Sequence, residues 1–219
     1  RVWEFPCVRA AGGSELVRLL TNPPELRDGG FDITVGAEVR VISAEVRRAV
    51  SLGHRVLELR RDGVLGFASQ AGDHLCHGTR SDEEPLLLNV LALAETTYLF
   101  AELAHLVAKH FKPPVHSFSY VLAFHQMEIG GKRAMLIAGD RRDRTFALPH
   151  EMARARAADF DVRIASLPAS TDPRVVAYVL RRGLYAEFGF DEDAIPYVTD
   201  VDGERATDPA QVIEDGRGP

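Results

Sequence analysis

The feature that most constrains the fold of this chain is a long apolar stretch in its middle, from Pro85 to Phe111. In the first half of this stretch the residues are apolar on nearly all sides of a helix, a pattern typical of burial against several neighbours. Asp82 is a suitable N-cap residue, and Pro85 would lie in the first turn, where its missing N–H costs little. Pro113 disfavours helical geometry at the residue before it, which predicts an end near Phe111. The sequence therefore predicts one long central helix.

Charge and cysteine content limit the setting of the chain. Glu95 and Glu102 interrupt the apolar stretch, whereas a membrane span needs about 20 consecutive apolar residues, so we expect no membrane association. Cys7 and Cys76 are too few for a disulfide framework, and we expect a cytoplasmic protein. A formal net charge of −6 argues against an extended nucleic-acid footprint, although a local basic patch is compatible with it.

A second helix is predicted in the C-terminal third. Asp172 is placed as its N-cap, Pro173 as its first residue and Gly189 as the residue that ends it. Apolar residues recur at helical spacing between them and predict a buried stripe, formed by Val175, Val176, Val179, Leu180, Leu184 and Phe188.

Two hairpins are predicted from their turns. Arg61-Asp62-Gly63 separates two apolar segments, and Asp-Gly favours the positive φ angles of a tight turn. In the second hairpin, a strand from Ser117 to Glu128 is expected to turn at Gly130-Gly131 and return over Lys132 to Ala138.

The remaining segments are shorter. We expect helices over residues 14–21 and 149–158, and strands over residues 2–8, 31–35, 38–43 and 162–167. Together these elements predict an α+β fold, with a mostly antiparallel sheet built from hairpins and packed against the long central helix and the second, C-terminal helix. Residues 1–219 are expected to form a single domain, either complete or an excerpt of a longer protein, with a partly disordered tail over residues 200–219.

One candidate metal site is the cluster His74, Cys76 and His77. Imidazole and thiolate groups are good zinc ligands, and three of them with a water molecule would make a catalytic site. Three ligands within four residues fit no familiar zinc spacing, so we expect neither a metal nor another cofactor and keep this cluster as an alternative.

Two further groups suggest chemistry on phosphates. Asp32 and Glu38 resemble the acidic pair of a metal-dependent nuclease, but the nearby Arg40 stays protonated and cannot act as a base. Arg141, Arg142 and Arg144 could bind phosphate groups, although Asp140 and Asp143 partly neutralise them. The sequence contains no Walker-type phosphate loop and no GxSxG motif. No catalytic set emerges from it.

Two stretches carry a family resemblance. LNVLALAETTYLFAELAHLV (Leu88 to Val107) and VVAYVLRRGLYAEFGFDEDAIPYVTD (Val175 to Asp200) resemble the region that accompanies Schlafen-type (AlbA_2) DNA-binding domains in bacterial proteins often described as ATP-binding, and the hairpin Leu57 to Phe67 is similar. The Glu-Phe-Lys signature of that family is interrupted here, because Glu4-Phe5 is followed by Pro6. The resemblance therefore implies the accessory portion of a larger regulatory or defence protein, and it assigns no ATP-site residue.

Three functions follow as hypotheses. The leading one is a non-enzymatic accessory domain that senses a ligand or mediates assembly through a self-association or partner-domain surface. The second is a metal-dependent nuclease or hydrolase that uses either Asp32 and Glu38 or the His74 cluster. The third is nucleic-acid binding through the loop that contains Arg141. A pocket lined by convergent carboxylates or imidazoles would favour an enzyme, and an apolar pocket with a few polar groups would favour a sensor.

Overall fold

The computed structural model describes residues 13–34, 39–43, 46–50, 55–60, 62–76, 85–111, 114–137 and 152–217. The helices are α1 (Gly13–Thr21), α2 (Ala71–His74), α3 (Val90–Ala108), α4 (Pro173–Glu187) and α5 (Pro209–Gly216). The strands are β1 (Val39–Ser43), β2 (Val46–Val50), β3 (Arg55–Arg60), β4 (Leu65–Ser69), β5 (Leu87–Leu88), β6 (Ser117–Phe124), β7 (Glu128–Ile129), β8 (Lys132–Arg133), β9 (Met135–Ile137), β10 (Met152–Arg154), β11 (Phe160–Pro168), β12 (Val198–Val201) and β13 (Glu204–Thr207). The predicted α+β class is confirmed.

Helix α3 is the central helix, and it begins later than predicted. Its N-cap is Asn89, whose side-chain oxygen accepts hydrogen bonds from the backbone N–H groups of Leu91 (3.0 Å) and Ala92 (3.3 Å). The residues before Asn89 form β5, and pairing with β9 holds them extended. The predicted start at Pro85 is therefore wrong, and the proposed cap Asp82 lies outside the described residues. The end at Ala108, followed by a turn to Phe111, agrees with the prediction.

Helix α4 matches its prediction at both ends. The Asp172 carboxylate accepts a hydrogen bond from the backbone N–H of Arg174 (2.8 Å), and Pro173 is the first helical residue. Gly189 follows the helix with φ +82°, a backbone conformation that favours glycine. Inside the helix, a Cβ at Gly183 would overlap the side chain of Val162 on β11, so glycine allows the helix to approach this strand closely.

Strands β1 to β4 form an antiparallel meander in sequential order. The predicted turn between β3 and β4 is confirmed, with Gly63 at φ +88°. The predicted strand over residues 31–35 is wrong across its described part, because Phe31 to Thr34 adopt irregular backbone. There the Asp32 side chain accepts a hydrogen bond from the N–H of Thr34 (2.9 Å), a local bond that competes with strand pairing.

The second predicted hairpin is only partly present. Gly130 and Gly131 have positive φ angles and join β7 to β8, as predicted. Strand β6, however, pairs with β11 rather than with the segment after the turn. Gln126, at φ +55°, and the buried Met127 separate β6 from the turn and direct the chain into the core.

The predicted helix over residues 149–158 is wrong in its described part. Residues 152–154 form β10, which pairs antiparallel with β9, and the next residue, Ala155, donates its N–H to the Ala134 carbonyl (2.8 Å). Ala155 is also buried. Pairing with β9 thus overrides the helical propensity of an alanine-rich segment.

The sequence predicts a partly disordered tail over residues 200–219, but the described part of this segment, residues 200–217, is folded. Strands β12 and β13 form a hairpin, and Asp208 caps α5 through hydrogen bonds from Ala210 and Gln211. Val212 on α5 is fully buried against the main core. These contacts anchor the segment up to Arg217.

The core surrounds α3 on several sides. One cluster joins the start of α3 to α4, α5 and the strands near β9, a second joins its end to α1 and β3, and a third joins it to β6 and α4. By length and composition alone α3 is apolar enough to cross a membrane, but 67% of that apolar window is buried inside the protein. Core packing therefore accounts for the apolar character of this helix.

Candidate ligand-binding site

A cavity of about 470 Å³ lies between the C-terminal half of α3, the turn joining β3 to β4, and strand β6. On α3 its lining residues recur at helical spacing and form one stripe. The lining is dominated by apolar and aromatic side chains, among them Phe100, Val107, Phe111, Val115, Phe118 and Tyr120. This composition is typical of ligand pockets, which measure roughly 300–1,000 Å³.

The hairpin turn and the helix end form one wall of this cavity. Phe111 follows α3 and is 6% exposed, and its ring lies against the turn at Gly63. Gly63 provides the positive φ angle that the tight turn requires. The local signals that define the hairpin and the helix end thus also shape the cavity.

Two exposed apolar side chains belong to the lining of the cavity. Across the described part of the chain, the most exposed large hydrophobic side chains are Val64 (48%) and Val121 (58%). Both line the cavity, one beside the hairpin turn and the other on β6. The cavity therefore combines a mostly apolar lining with two exposed valines.

The charged and hydroxyl groups of the lining are mostly engaged. Asp62 forms an ion pair with Arg60 (2.8 Å) and accepts a hydrogen bond from the Val64 N–H. The Ser119 hydroxyl donates to the Ala165 carbonyl on β11. Tyr120 is 7% exposed, and burial raises its pKa to about 12. The part of the lining that the structure describes is thus largely neutral.

A separate polar cluster lies on the N-terminal half of α3, around Glu95. Glu95 is fully buried, and its Oε2 accepts a hydrogen bond from Arg27 Nη2 (3.0 Å). Its Oε1 lies against the backbone at Gly30 and Phe31, where an added Cβ on Gly30 would overlap it, and it makes no hydrogen bond of good geometry. Arg27 also donates from Nη1 to the Gly216 carbonyl (3.1 Å), so the pair connects α3 to the end of α5.

Opposing effects act on the charge of Glu95. Burial raises the pKa of its carboxyl group, and the backbone N–H of Phe31 and the Arg27 guanidinium act against that rise. Because the pKa is raised, the contribution of this group to stability is present below its ordinary pKa of 4.5 and declines as the pH rises through the folded-state value. The ion pair with Arg27 limits this decline.

His74 extends the same cluster. It is 1% exposed and lies between the rings of Phe31 and Phe67, and its Nε2 is 3.2 Å from the Thr96 hydroxyl. Because that hydroxyl donates to the Phe31 carbonyl (3.2 Å), it accepts from His74 Nε2, which defines a neutral ring protonated at Nε2. Burial, helped by the positive charge of Arg55, lowers the pKa of His74 to about 4.

This arrangement predicts a loss of stability in mild acid. The unfolded state binds a proton near pH 6.5 and the folded state only near pH 4, so the stability falls as the pH drops between these values. Between about pH 7 and pH 5 we expect a decrease of about 2 kcal/mol in the free energy of unfolding, which His74→Gln should largely remove. Urea unfolding at the two pH values measures the difference, and His125→Gln, at an exposed histidine, is the control. An unchanged pH dependence in His74→Gln would contradict the assignment.

The structure describes only some of the sequence-predicted site residues. Asp32 forms an ion pair with Arg55 (3.3 Å), and its proposed partner Glu38 lies outside the described residues. His74 is buried, as described above. The backbone of Cys76 pairs with that of Leu88 in an isolated antiparallel β-bridge, and His77 lies outside the described residues. Arg141, Arg142 and Arg144 are also outside the described ranges. Within those ranges no group of three or more His, Cys, Asp or Glu side chains could hold a metal ion. The nuclease and nucleic-acid hypotheses stay predictions.

The sequence predictions missed the cavity, the pair Arg27–Glu95 and a buried arginine, Arg181. One signal was available for Glu95, because a carboxylate inside an apolar helix needs a buried partner. Nothing in the sequence identifies that partner as Arg27, which is 68 residues away. Comparison of the chain with protein-family models, with curated proteins and with solved structures finds no match.

Proposed function

We propose that this chain is a ligand-sensing accessory domain of a larger bacterial regulatory or defence protein, and that it binds a small, largely apolar molecule in the cavity between α3 and β6. The observation that carries this proposal is the coincidence of two features. The cavity has the size and apolar lining of a ligand pocket, and the exposed large hydrophobic side chains of the described chain lie on it.

The chemistry of the lining favours binding over catalysis. An enzyme site brings together titratable groups whose environments prepare them for proton transfer or nucleophilic attack. Here Asp62 is paired with Arg60, and burial raises the pKa of Tyr120 to about 12, further from the neutral range in which acid–base catalysis is efficient. The lining thus supports recognition of a neutral molecule.

Helix α3 provides a route by which binding would reach the rest of the fold. Its C-terminal half contributes Phe100, Ala104 and Val107 to the cavity, and its N-terminal half carries Glu95. Glu95 is connected through Arg27 to α5. A ligand that changes the packing of the helix would therefore act on contacts at both ends. The resemblance to the region accompanying Schlafen-type domains supports a role beside a partner domain.

A cavity-filling substitution tests the proposal. We expect Val115→Trp to occupy the cavity and to lower the affinity for 2-naphthol, a neutral aromatic probe, by at least about tenfold, equivalent to about 1.4 kcal/mol. Probe fluorescence or calorimetry measures the affinity. Val17→Trp is the matched control, because Val17 is a half-buried valine on α1 that does not line the cavity. Absence of probe binding to the unmodified chain, or equal binding by both variants, would overturn the proposal.

A further inference from the structure

We propose that the Tyr120 hydroxyl is the group that selects the ligand, and that the ligand is a neutral molecule with an apolar body and one hydrogen-bonding group, such as a hydroxyl or a carbonyl. This inference depends on the proposed function, since it assigns the chemistry of the molecule that the same cavity binds. The observation that carries it is whether each described polar side chain of the lining already has a hydrogen-bond or ion-pair partner.

Elimination among the polar groups leads to Tyr120. Asp62 is held by Arg60 and by the Val64 N–H, and the Ser119 hydroxyl is held by the Ala165 carbonyl. Ser117 is exposed at the start of β6. In the described structure the Tyr120 hydroxyl forms no hydrogen bond, although the ring contacts Phe118 edge-on, with 5.8 Å between centroids, and packs with Val176 and Leu180. The ring is held in place while the hydroxyl keeps its hydrogen-bonding capacity.

The surroundings of Tyr120 also determine the charge of the ligand. Burial raises the pKa of this hydroxyl, and among the described residues no charged group contributes to the rise. The same cavity is lined by the apolar side chains of Phe100, Phe111 and Val115. A charged ligand would lose its hydration without gaining an ionic partner, which is costly. A neutral ligand that bonds to the hydroxyl would gain a hydrogen bond in an apolar setting, where such a bond is strong.

The test compares three probes that share one ring system, which are naphthalene, 2-naphthol and 2-naphthoate. We expect the unmodified chain to bind 2-naphthol about tenfold more tightly than naphthalene, as one added hydrogen bond of about 1.4 kcal/mol gives. We expect 2-naphthoate to bind more weakly than 2-naphthol. Tyr120→Phe should bind naphthalene as the unmodified chain does and lose the preference for 2-naphthol. Tyr98→Phe, which removes a hydroxyl outside the cavity, should keep the preference.

The outcomes separate this inference from the proposed function. Binding of naphthalene and 2-naphthol with equal affinity, or a preference that survives in Tyr120→Phe, would overturn the role of Tyr120 and leave the cavity as a binding site. Tightest binding of 2-naphthoate would overturn the choice of a neutral ligand. No binding of any probe would overturn the proposed function together with this inference. Thermal unfolding shows whether Tyr120→Phe folds. We expect it to fold like the unmodified chain, because the substitution removes one hydroxyl and keeps the ring.

Discussion

Replacement of Glu95 by alanine is expected to lower the free energy of unfolding by about 3–5 kcal/mol, because it leaves a largely buried guanidinium without its carboxylate. The side chain of Glu95 is fully buried, and that of Arg27 is 12% exposed. Removing only the carboxylate therefore leaves a positive charge that neither a protein group nor bulk water compensates fully. Urea unfolding at neutral pH measures the effect.

Two further variants make this prediction specific. Glu102→Ala, which removes a half-buried glutamate from the same helix, should cost less than about 1 kcal/mol. The double variant Arg27→Met with Glu95→Leu should recover most of the loss, since replacing both members of a buried pair by apolar residues is often neutral. If Glu95→Ala were no more destabilising than Glu102→Ala, the pair would not hold α3 in the described position.

Replacement of Arg181 by alanine is expected to cost about 4 kcal/mol of stability, because several buried acceptors lose their donor together and the side chain leaves a void. Arg181 is fully buried on α4 and donates to the carbonyls of Pro196 (2.7 Å) and Tyr197 (3.3 Å) and to the Thr207 hydroxyl (2.9 Å). Burial lowers its pKa to about 10, so it stays charged at neutral pH. Its bonds position Tyr197, whose φ of +56° is unusual for a side chain of this size.

The neighbouring residue provides a matched control. Arg182 follows Arg181 on α4, but its side chain is 49% exposed and pairs with Glu192 at 3.5 Å. Exposed pairs of this kind contribute little, so Arg182→Ala should change the free energy of unfolding by less than about 1 kcal/mol. Thermal and urea unfolding of the two variants measure the contrast. Similar losses from both would contradict the assignment of Arg181 as the residue that connects α4 to β12 and β13.

Local signals in the sequence were sufficient for several elements. Asp172 with Pro173 defines the start of α4, and Asp62 with Gly63 defines the turn between β3 and β4, because a cap or a tight turn depends on a few adjacent residues. The apolar stretch after Leu86 predicted the burial of α3 but not its first residue. There Asn89 supplies the cap, and the pairing of β5 with β9 competes with helix.

Errors occurred where distant segments decide the outcome. The partner of β6 is β11, 36 residues beyond its end, and no turn signal encodes that pairing. The ordered segment after Asp200 depends on Arg181 and on burial of Val212, neither of which follows from local composition. The cavity is likewise formed by segments as distant as Val64 and Val121. The apolar side chains that line it have the same character as core residues, so a periodic pattern does not separate the two.

The bond from Arg27 to the Gly216 carbonyl has a consequence for biosynthesis. During translation, Arg27 and Glu95 leave the ribosome before Gly216 is added to the chain. The two residues are therefore exposed while their partner in α5 is still untranslated. During that interval the arginine lacks the acceptor that fixes one of its nitrogens, and α5 is missing from its place against the central helix. The contacts of Arg27 and of the main core cluster with α5 can therefore form only after that helix has left the ribosome, and a nascent chain that stalls earlier would lack them.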